Sequence, residues 1–227
     1  MIKVLVVDDH ELVRMGITRM LADVNGFQVV GEACSGEQAV QMTRDLSPDV
    51  VLMDVKMPGI GGLEATRKIL RHDDSVRVIA VTVCEEEPFP TRLMKAGAAG
   101  YLSKGADLDE MVRAIRVVFA GQRYISPAIA QAMALRPFNG NETAPMELLS
   151  ERELQIMMMI VSCHRVQAIS DKLCLSPKTV NTYRYRIFDK LGIASDVEMT
   201  LLAMRWGMID ETTTATPVAV GRALAVA

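Results

Sequence analysis

Hydrophobic positions divide the chain into two differently patterned parts. Up to about residue 120, short apolar runs alternate with longer stretches in which apolar positions recur with the helical period. The apolar runs predict five strands, at 3–7, 28–33, 50–53, 76–81 and 99–102. A run such as Val50-Val51-Leu52-Met53 is apolar throughout, which is typical of a strand covered on both faces by helices. The pattern therefore predicts a doubly wound α/β domain with five parallel strands joined by right-handed helical crossovers.

Beyond residue 124 the pattern indicates helices only. A short helix is predicted over 128–135, but Pro137, Gly140 and Pro145 indicate a linker over 125–146. Ser150 and Glu153 then have the spacing of a capping box in front of an apolar helical face. Residues 211–227 are low in complexity, and we expect a disordered tail there. The predicted organisation is an α/β domain at 1–124, a linker at 125–146, an all-α domain at 147–210 and the tail.

Polar side chains stand at the ends of four of the five predicted strands: Asp8 and Asp9, Asp54, Thr82 and Lys104. The carboxyl ends of parallel strands meet at one edge of the sheet, where sites collect. Three carboxylates in one pocket repel one another unless a cation is present, and Mg²⁺ is the hard, oxygen-preferring ion that suits them. We expect Asp9 and Asp54 to bind Mg²⁺ directly and Asp8 to bind it through water.

This arrangement predicts phosphoryl transfer onto Asp54, with one carboxylate oxygen left free as the nucleophile. Lys104 would pair with a phosphoryl oxygen, and the Thr82 hydroxyl would donate to another. Each residue alone has an ordinary explanation, such as a helix cap for Asp8 or Asp9 or a solvated lysine at 104. Their joint occurrence at the strand ends favours the site.

Three alternatives belong to other classes. A haloacid-dehalogenase-like phosphatase also uses an aspartate with magnesium, but it needs Asp-x-Asp where this chain has Asp8-Asp9-His10. A nucleotide- or flavin-binding module needs a glycine-rich loop after the first strand, which this sequence lacks. A DNA-binding protein whose first domain is vestigial is disfavoured by the intact acidic residues.

A zinc site at Cys163, His164 and Cys174 lacks a fourth ligand at credible spacing.

The second domain contains a helix-turn-helix pattern. A helix predicted at 166–173 breaks at Cys174-Leu175, and Ser176-Pro177 then provides an N-cap and a proline at the first helical position. The second helix runs to about Leu191 and ends at Gly192. Two helices joined by so short a turn are typical of proteins that place the second helix in the major groove of DNA.

The second helix separates into an apolar and a polar face. The apolar stripe comprises Val180, Tyr183, Ile187 and Leu191. The predicted contacts with double-stranded DNA are Lys178, Thr179, Asn181, Thr182 and Tyr185 on the base-reading face, and Arg184, Arg186 and Lys190 for phosphates. The chain carries a net charge of −3, yet residues 165–190 contain six basic side chains against two acidic ones. The local charge therefore favours DNA binding.

The apolar runs and the cysteines indicate where in the cell the protein works. No apolar run is long enough to span a bilayer, and Met1-Ile2-Lys3 leads directly into a strand-like run without a signal-peptide pattern. The four cysteines form no regular framework, which is typical of buried thiols in a reducing compartment. We expect a cytoplasmic protein without membrane contacts.

The first domain resembles the receiver domain of two-component response regulators, which has a flavodoxin-like fold. The resemblance rests on the segments Val6-Val7-Asp8-Asp9-His10, Met53-Asp54-Val55-Lys56-Met57-Pro58-Gly59 and Tyr101-Leu102-Ser103-Lys104, together with Thr82. It implies that Asp54 accepts phosphate from a sensor histidine kinase, that the Lys56 backbone carbonyl is a metal ligand, and that Tyr101 reports phosphorylation by its rotamer. It also implies no enzyme activity beyond the domain's own phosphorylation and dephosphorylation.

The second domain resembles the LuxR-type effector of the NarL/FixJ subfamily through 149–154 and 175–183. The segments 85–92 and 178–186 are similar to the GacA/UvrY/SirA group. This similarity implies a hybrid sensor kinase and transcriptional activation of small regulatory RNAs. In resembling proteins the unphosphorylated receiver masks the recognition helix, and phosphorylation releases the effector to form a homodimer on DNA. The helix predicted at 196–206, with Val197 and Leu201, is the expected dimer contact.

Overall fold

Six parallel strands form one sheet in the order β2-β1-β3-β4-β5-β6. The computed structural model describes residues 1–57, 59–83, 89–135 and 148–206. The strands are β1 Ile2–Val7, β2 Phe27–Ala33, β3 Val50–Met53, β4 Arg77–Thr82, β5 Gly100–Ser103 and β6 Tyr124–Ile125. The helices of this domain are α1 Glu11–Ala22, α2 Gly36–Leu46, α3 Gly61–His72, α4 Phe89–Lys95, α5 Leu108–Phe119 and α6 Pro127–Leu135. The α/β fold predicted from the apolar runs is confirmed.

Alternate residues of the strands enter two different cores. Val4 and Val6 of β1 face one cluster with Leu21 of α1 and Ile115 of α5. The intervening Leu5 belongs to the opposite cluster, to which α2 and α3 contribute. Because both faces of the sheet are covered, every residue of β3 is buried. The strand ends are therefore the part of the sheet where polar side chains can gather.

The sixth strand corrects the prediction of five. Tyr124 and Ile125 pair in parallel with Gly100 and Tyr101 of β5. A two-residue strand is too short to carry a periodic signal, and its pairing depends on the exposed edge of β5. The predicted short helix at 128–135 is present as α6. Linker residues 136–146, residue Pro58 and the tail at 211–227 lie outside the described residues.

The described part of the second unit, residues 148–206, contains four helices: α7 Glu151–Val161, α8 Val166–Leu173, α9 Pro177–Leu191 and α10 Asp196–Arg205. The capping box of Ser150 and Glu153 is present at the start of α7. Ser176 caps α9 by accepting a hydrogen bond from the Thr179 amide, and Gly192 ends it in the left-handed region at φ 66°. The sequence signals for the helix-turn-helix are thereby confirmed.

Among the described residues, hydrogen bonds join α7 and the residue that precedes its N-cap to the α/β domain. Arg92 of α4 donates to the Leu149 carbonyl at 2.6 Å, and Gln155 donates to the Ile60 carbonyl at 3.4 Å. On α9, Thr182 and Tyr185 are exposed, so their side chains are not covered by the α/β domain. The masking of the recognition helix that resembling proteins imply is therefore not the arrangement of this structure.

No helix within the described ranges is long and apolar enough to cross a membrane.

Candidate metal centre and nucleic-acid interface

A lysine and two aspartates meet at the carboxyl edge of the sheet. The Lys104 ammonium lies 2.6 Å from Asp8 Oδ2 and 2.9 Å from Asp54 Oδ2. Asp8 follows β1, Asp54 follows β3 and Lys104 follows β5. Because β1 and β3 are neighbours and β5 lies one strand beyond β4, the parallel sheet brings together residues up to 96 positions apart in sequence.

The acidic residues have the donor chemistry of a metal site. Ligand atoms of Asp8, Asp9, His10 and Asp54 lie within 4.8 Å of one another. The imidazole Nδ1 of His10 lies 3.0 Å from Asp9 Oδ1. This oxygen is nevertheless buried without a hydrogen bond from any described residue. A buried, unsatisfied carboxylate oxygen beside two further carboxylates fits a hard cation, so this cluster could bind a metal.

The residues predicted to switch lie around the same edge. Thr82, at the end of β4, is fully buried, and its carbonyl accepts a hydrogen bond from the Lys104 amide at 3.0 Å. The Lys56 amide donates to Asp54 Oδ1 at 3.2 Å. Tyr101 is fully buried in one cluster with Leu93 of α4 and Ile129 of α6. Its ring therefore already occupies the inward position in this structure.

Burial controls the ionisation of the acceptor. Loss of solvent raises the pKa of Asp54 from 3.8 to about 6; the charge of Lys104 opposes this rise, and the charge of Asp8 adds to it. Burial alone would lower the pKa of Lys104, but the Asp54 and Asp8 carboxylates outweigh it and raise the pKa. Asp54 is therefore partly protonated in mildly acidic solution, above the usual range of an aspartate.

Asp54→Asn should stabilise the metal-free protein at high pH. A carboxyl whose pKa is raised in the folded state contributes stability that is present below pH 3.8 and lost as pH rises through about 6. The variant does not have this titrating group, so its free energy of unfolding in EDTA should exceed the native value by about 3 kcal/mol at pH 8 and by about half of that at pH 5. Urea unfolding at both pH values measures the difference. Asp74→Asn, in an exposed turn, is the control. An equal difference at both pH values would exclude the titration of Asp54 as its cause.

Gly62 is a site residue that the sequence reasoning missed. A methyl group at Gly62 would collide with the Asp54 backbone carbonyl and would lie 2.8 Å from the Val55 Cα. The start of α3 is therefore pressed against the strand end that carries the acceptor. The signal was available, because Gly59, Gly61 and Gly62 follow Asp54 closely and clustered glycines suggest close backbone approach.

Gly62→Ala should push α3 away from Asp54. We expect a loss of about 1–3 kcal/mol in the free energy of unfolding, as for other overpacked sites, together with weaker metal binding. Gly16→Ala is the matched control, because Gly16 lies within α1 and an added methyl group there meets nothing within 4 Å. That control should gain about 0.5–1 kcal/mol. Equal effects of the two substitutions on urea unfolding would contradict the close approach.

The predicted apolar stripe of α9 faces the core of the second unit. Val180 and Ile187 are buried, and Phe188, which the stripe omitted, is buried beside them. The side chains predicted to read DNA lie on the other face. Lys178, Thr182 and Tyr185 are exposed, and Thr179 and Asn181 are half-buried. The structure therefore presents the expected reading face to solvent.

The three predicted phosphate contacts differ from one another. Arg186 is exposed, its guanidinium lies over the Tyr183 ring, and it contacts no carboxylate of the described residues. Arg184 instead forms a two-pronged ion pair with Asp196 of α10. Lys190 lies 2.7 Å from Glu153 of α7 and also donates to a backbone carbonyl. Two of the three charges are thus engaged within the protein.

The ion pair of Lys190 and Glu153 connects α9 to the start of α7. Burial would raise the pKa of Glu153, but hydrogen bonds from Lys190 and Ser150 lower it below its ordinary value.

Cys163, His164 and Cys174 do not form a metal-binding group in the described part of the chain, where the acidic cluster is the only such group. Cys163 and Cys174 are exposed thiols at opposite ends of α8, which corrects the expectation that the cysteines are buried, as does the exposed Cys34.

Both units of the chain match known protein families. Residues 4–116 match the response regulator receiver domain, and residues 147–203 match the bacterial regulatory proteins of the luxR family. Response regulator GacA of Pseudomonas syringae pv. syringae is 71% identical over 211 residues, covering 92% of this chain and 99% of GacA. Response regulator UvrY of Escherichia coli K12 is 58% identical, covering 94% of this chain and 98% of UvrY.

A solved structure shares the fold across both units. The RcsB response regulator of Salmonella typhimurium superposes with a TM-score of 0.71 at 21% identity, covering 90% of this chain and 98% of RcsB. The two domain matches and the identity to GacA and UvrY show the family of this chain. The chain belongs to the NarL/FixJ family of response regulators, in the GacA/UvrY group of transcription regulators, with a receiver domain for a sensor kinase and a LuxR-type domain for DNA.

Proposed function

We propose that Asp54 accepts a phosphoryl group from a sensor histidine kinase and that this event controls binding of promoter DNA by α9. The observation that carries the proposal is the contact of Lys104 with both Asp8 and Asp54, at 2.6 and 2.9 Å. A lone ammonium between two buried carboxylates is a preformed neutralising group for added negative charge.

The reaction needs little from the protein beyond position and charge. An oxygen of the Asp54 carboxylate attacks phosphorus, the bond from phosphorus to the donor histidine nitrogen breaks, and an acyl phosphate remains. Lys104 is placed to pair with the transferred group, and the Thr82 hydroxyl is our candidate for a second contact. Water later cleaves the acyl phosphate, so the receiver also catalyses its own dephosphorylation.

Magnesium is the proposed cofactor. Asp8, Asp9 and Asp54, with the Lys56 backbone carbonyl, would hold it, and the unsatisfied Asp9 oxygen supports this assignment. Bound Mg²⁺ would offset the repulsion among the carboxylates and the incoming phosphoryl oxygens. Tyr101 and Thr82 are the proposed switch residues, since both are buried beside the strand ends that carry the site.

The DNA interface is proposed to be the exposed face of α9. Asn181 can bridge an adenine, and Thr182 can contact a thymine methyl group. Lys178, Thr179 and Tyr185 flank them on the same face, and Arg186 is the proposed phosphate contact. Arg184 and Lys190 were predicted as phosphate contacts too, but their ion pairs with Asp196 and Glu153 support a different role.

Phosphorylation is proposed to favour a homodimer through α10. Val197 and Leu201 lie one helical turn apart and are 69% and 60% exposed. Such an apolar pair on the surface of a small helical domain is a fitting contact for a second copy. Two-fold related effectors would then read two half-sites of one promoter.

The remaining proposals concern organisation and setting. We propose a receiver that extends past the expected boundary at 124 to Leu135, because β6 pairs with β5 and Ile129 of α6 is buried in one cluster with Tyr101. The proposed linker then ends at residue 146, followed by an effector at 147–210 and a tail at 211–227. Likeness to GacA and UvrY supports a hybrid sensor kinase as donor and activation of small regulatory RNA genes as output. Since promoter DNA is the target, the site of action is the cytoplasm.

DNA affinity with and without a phosphodonor tests the proposal. A target duplex is first selected from random DNA with the full chain in acetyl phosphate and Mg²⁺. We expect the phosphorylated chain to bind this duplex at least about tenfold more tightly than the untreated chain, a difference of 1.4 kcal/mol. Equal affinity, with the phosphoryl group shown to be present by intact mass, would contradict the proposed control and leave the receiver as a contact scaffold.

A further inference from the structure

The ion pair between Arg184 and Asp196 joins the DNA-reading helix to the helix that follows it. Arg184 Nε donates to Asp196 Oδ1 at 2.7 Å, and Arg184 Nη2 donates to Asp196 Oδ2. The Arg184 guanidinium also lies 5.6 Å from the centre of the Phe188 ring, which is buried one turn along α9. The guanidinium is therefore fixed in direction by a carboxylate fork and an aromatic face together.

Asp196 is itself held in place. It is the first residue of α10, where a carboxylate is favoured by the helix dipole, and Ser195 caps the same turn by accepting from the Glu198 amide. The Ala194 amide donates to the Glu198 carboxylate at 2.8 Å. The connection between α9 and α10 is thus short and hydrogen-bonded, and the ion pair of Arg184 with Asp196 links the two helices directly.

We propose that Arg184 is a positioning residue, which sets the angle between α9 and α10, and that it does not bind a DNA phosphate. Two of its five N–H donors bond to Asp196, and the pair is only about one-third exposed, at 30% and 38%. Arg186, two residues along, has the free exposed charge that a phosphate contact needs.

The angle between α9 and α10 affects the geometry of a dimer, provided that the homodimer through α10 proposed above forms. If α10 of each copy forms the dimer contact, the distance between the two reading helices depends on the angle between α9 and α10. The fork of Arg184 and Asp196 would then determine which spacing of half-sites the dimer accepts.

Salt dependence distinguishes a positioning residue from a phosphate contact. Each phosphate contact contributes about 0.9 to the slope of log affinity against log salt concentration. With the phosphorylated full chain and the selected duplex, Arg186→Ala should lower the slope by about that amount. Arg184→Ala and Asp196→Asn should each weaken binding about five- to tenfold with an unchanged slope. The double variant should be no weaker than either single variant, because both remove the same interaction.

The sign of the Asp196→Asn effect is the sharpest outcome. If Arg184 were a phosphate contact held back by Asp196, removal of the carboxylate would free it and binding would become tighter. Tighter binding by Asp196→Asn, or a slope lowered by about 0.9 in Arg184→Ala, would overturn the proposal. Asp196→Asn keeps the size of the side chain, so its DNA affinity still tests the role of Arg184 if Arg184→Ala does not fold.

Spacing selectivity separates positioning from a general loss of stability. The native chain should discriminate between the selected duplex and duplexes with one base pair added or removed between half-sites. Asp196→Asn should discriminate less, an effect that a smaller folded fraction cannot produce. Retained discrimination in this variant would overturn the role in spacing. A native chain that binds a single half-site equally well would refute the homodimer instead, and the salt slopes would still decide the role of Arg184.

Discussion

Replacing Asp54 with alanine should abolish the phosphoryl adduct formed from acetyl phosphate and Mg²⁺. The native chain should gain about one phosphoryl group by intact mass, and the variant none, because covalent transfer requires this carboxylate as nucleophile.

The controls for this experiment test position and chemistry separately. Asp74→Ala removes a carboxylate from an exposed turn and should leave the adduct intact. Asp54→Asn keeps the shape of the side chain and should behave as the alanine variant does. An adduct that survives at Asp54→Ala would identify another nucleophile, with Asp9 and His10 as the nearest candidates. No adduct on the native chain would demote the receiver to a contact scaffold.

Replacing Lys104 with alanine should have opposite effects on catalysis and on metal binding. The ammonium is placed to neutralise the transferred group, and loss of one such donor typically slows a reaction about 10²–10³-fold. Without Lys104, the repulsion between Asp8 and Asp54 is no longer offset, and the pKa of Asp54 rises further. A divalent cation then has less competition for these carboxylates, so Mg²⁺ affinity should increase by about tenfold at pH 8.

Two measurements on one protein preparation check this prediction. The rate of adduct formation is followed by intact mass at saturating Mg²⁺, and Mg²⁺ affinity is measured by calorimetry. Lys68→Ala, on the surface of α3, should change neither value. Parallel falls in rate and Mg²⁺ affinity would indicate that Lys104 supports the fold of the site and has no specific role with the phosphoryl group.

The secondary-structure elements and the chemistry of the receiver could be predicted from the amino-acid pattern alone. Strands such as β1 and β3 are short, apolar and bounded by polar residues, so their positions follow from local pattern. Asp8, Asp54 and Lys104 could be placed together because parallel strands end at one edge whatever their separation along the chain. The start of α9 and its end at Gly192 were equally local, since caps depend on the residues beside them.

Which basic side chains of α9 form ion pairs depends on the packing of helices that are distant in sequence. Arg184 and Lys190 look equivalent to Arg186 in a basic helix, but Asp196 and Glu153 reach them from other helices, 12 and 37 residues away. Likewise β6 depends on the open edge of β5, and the need for glycine at 62 depends on how closely α3 approaches Asp54. Local pattern reports which side chains face inward. It does not report which partner they meet, because that depends on distances between elements that packing alone sets.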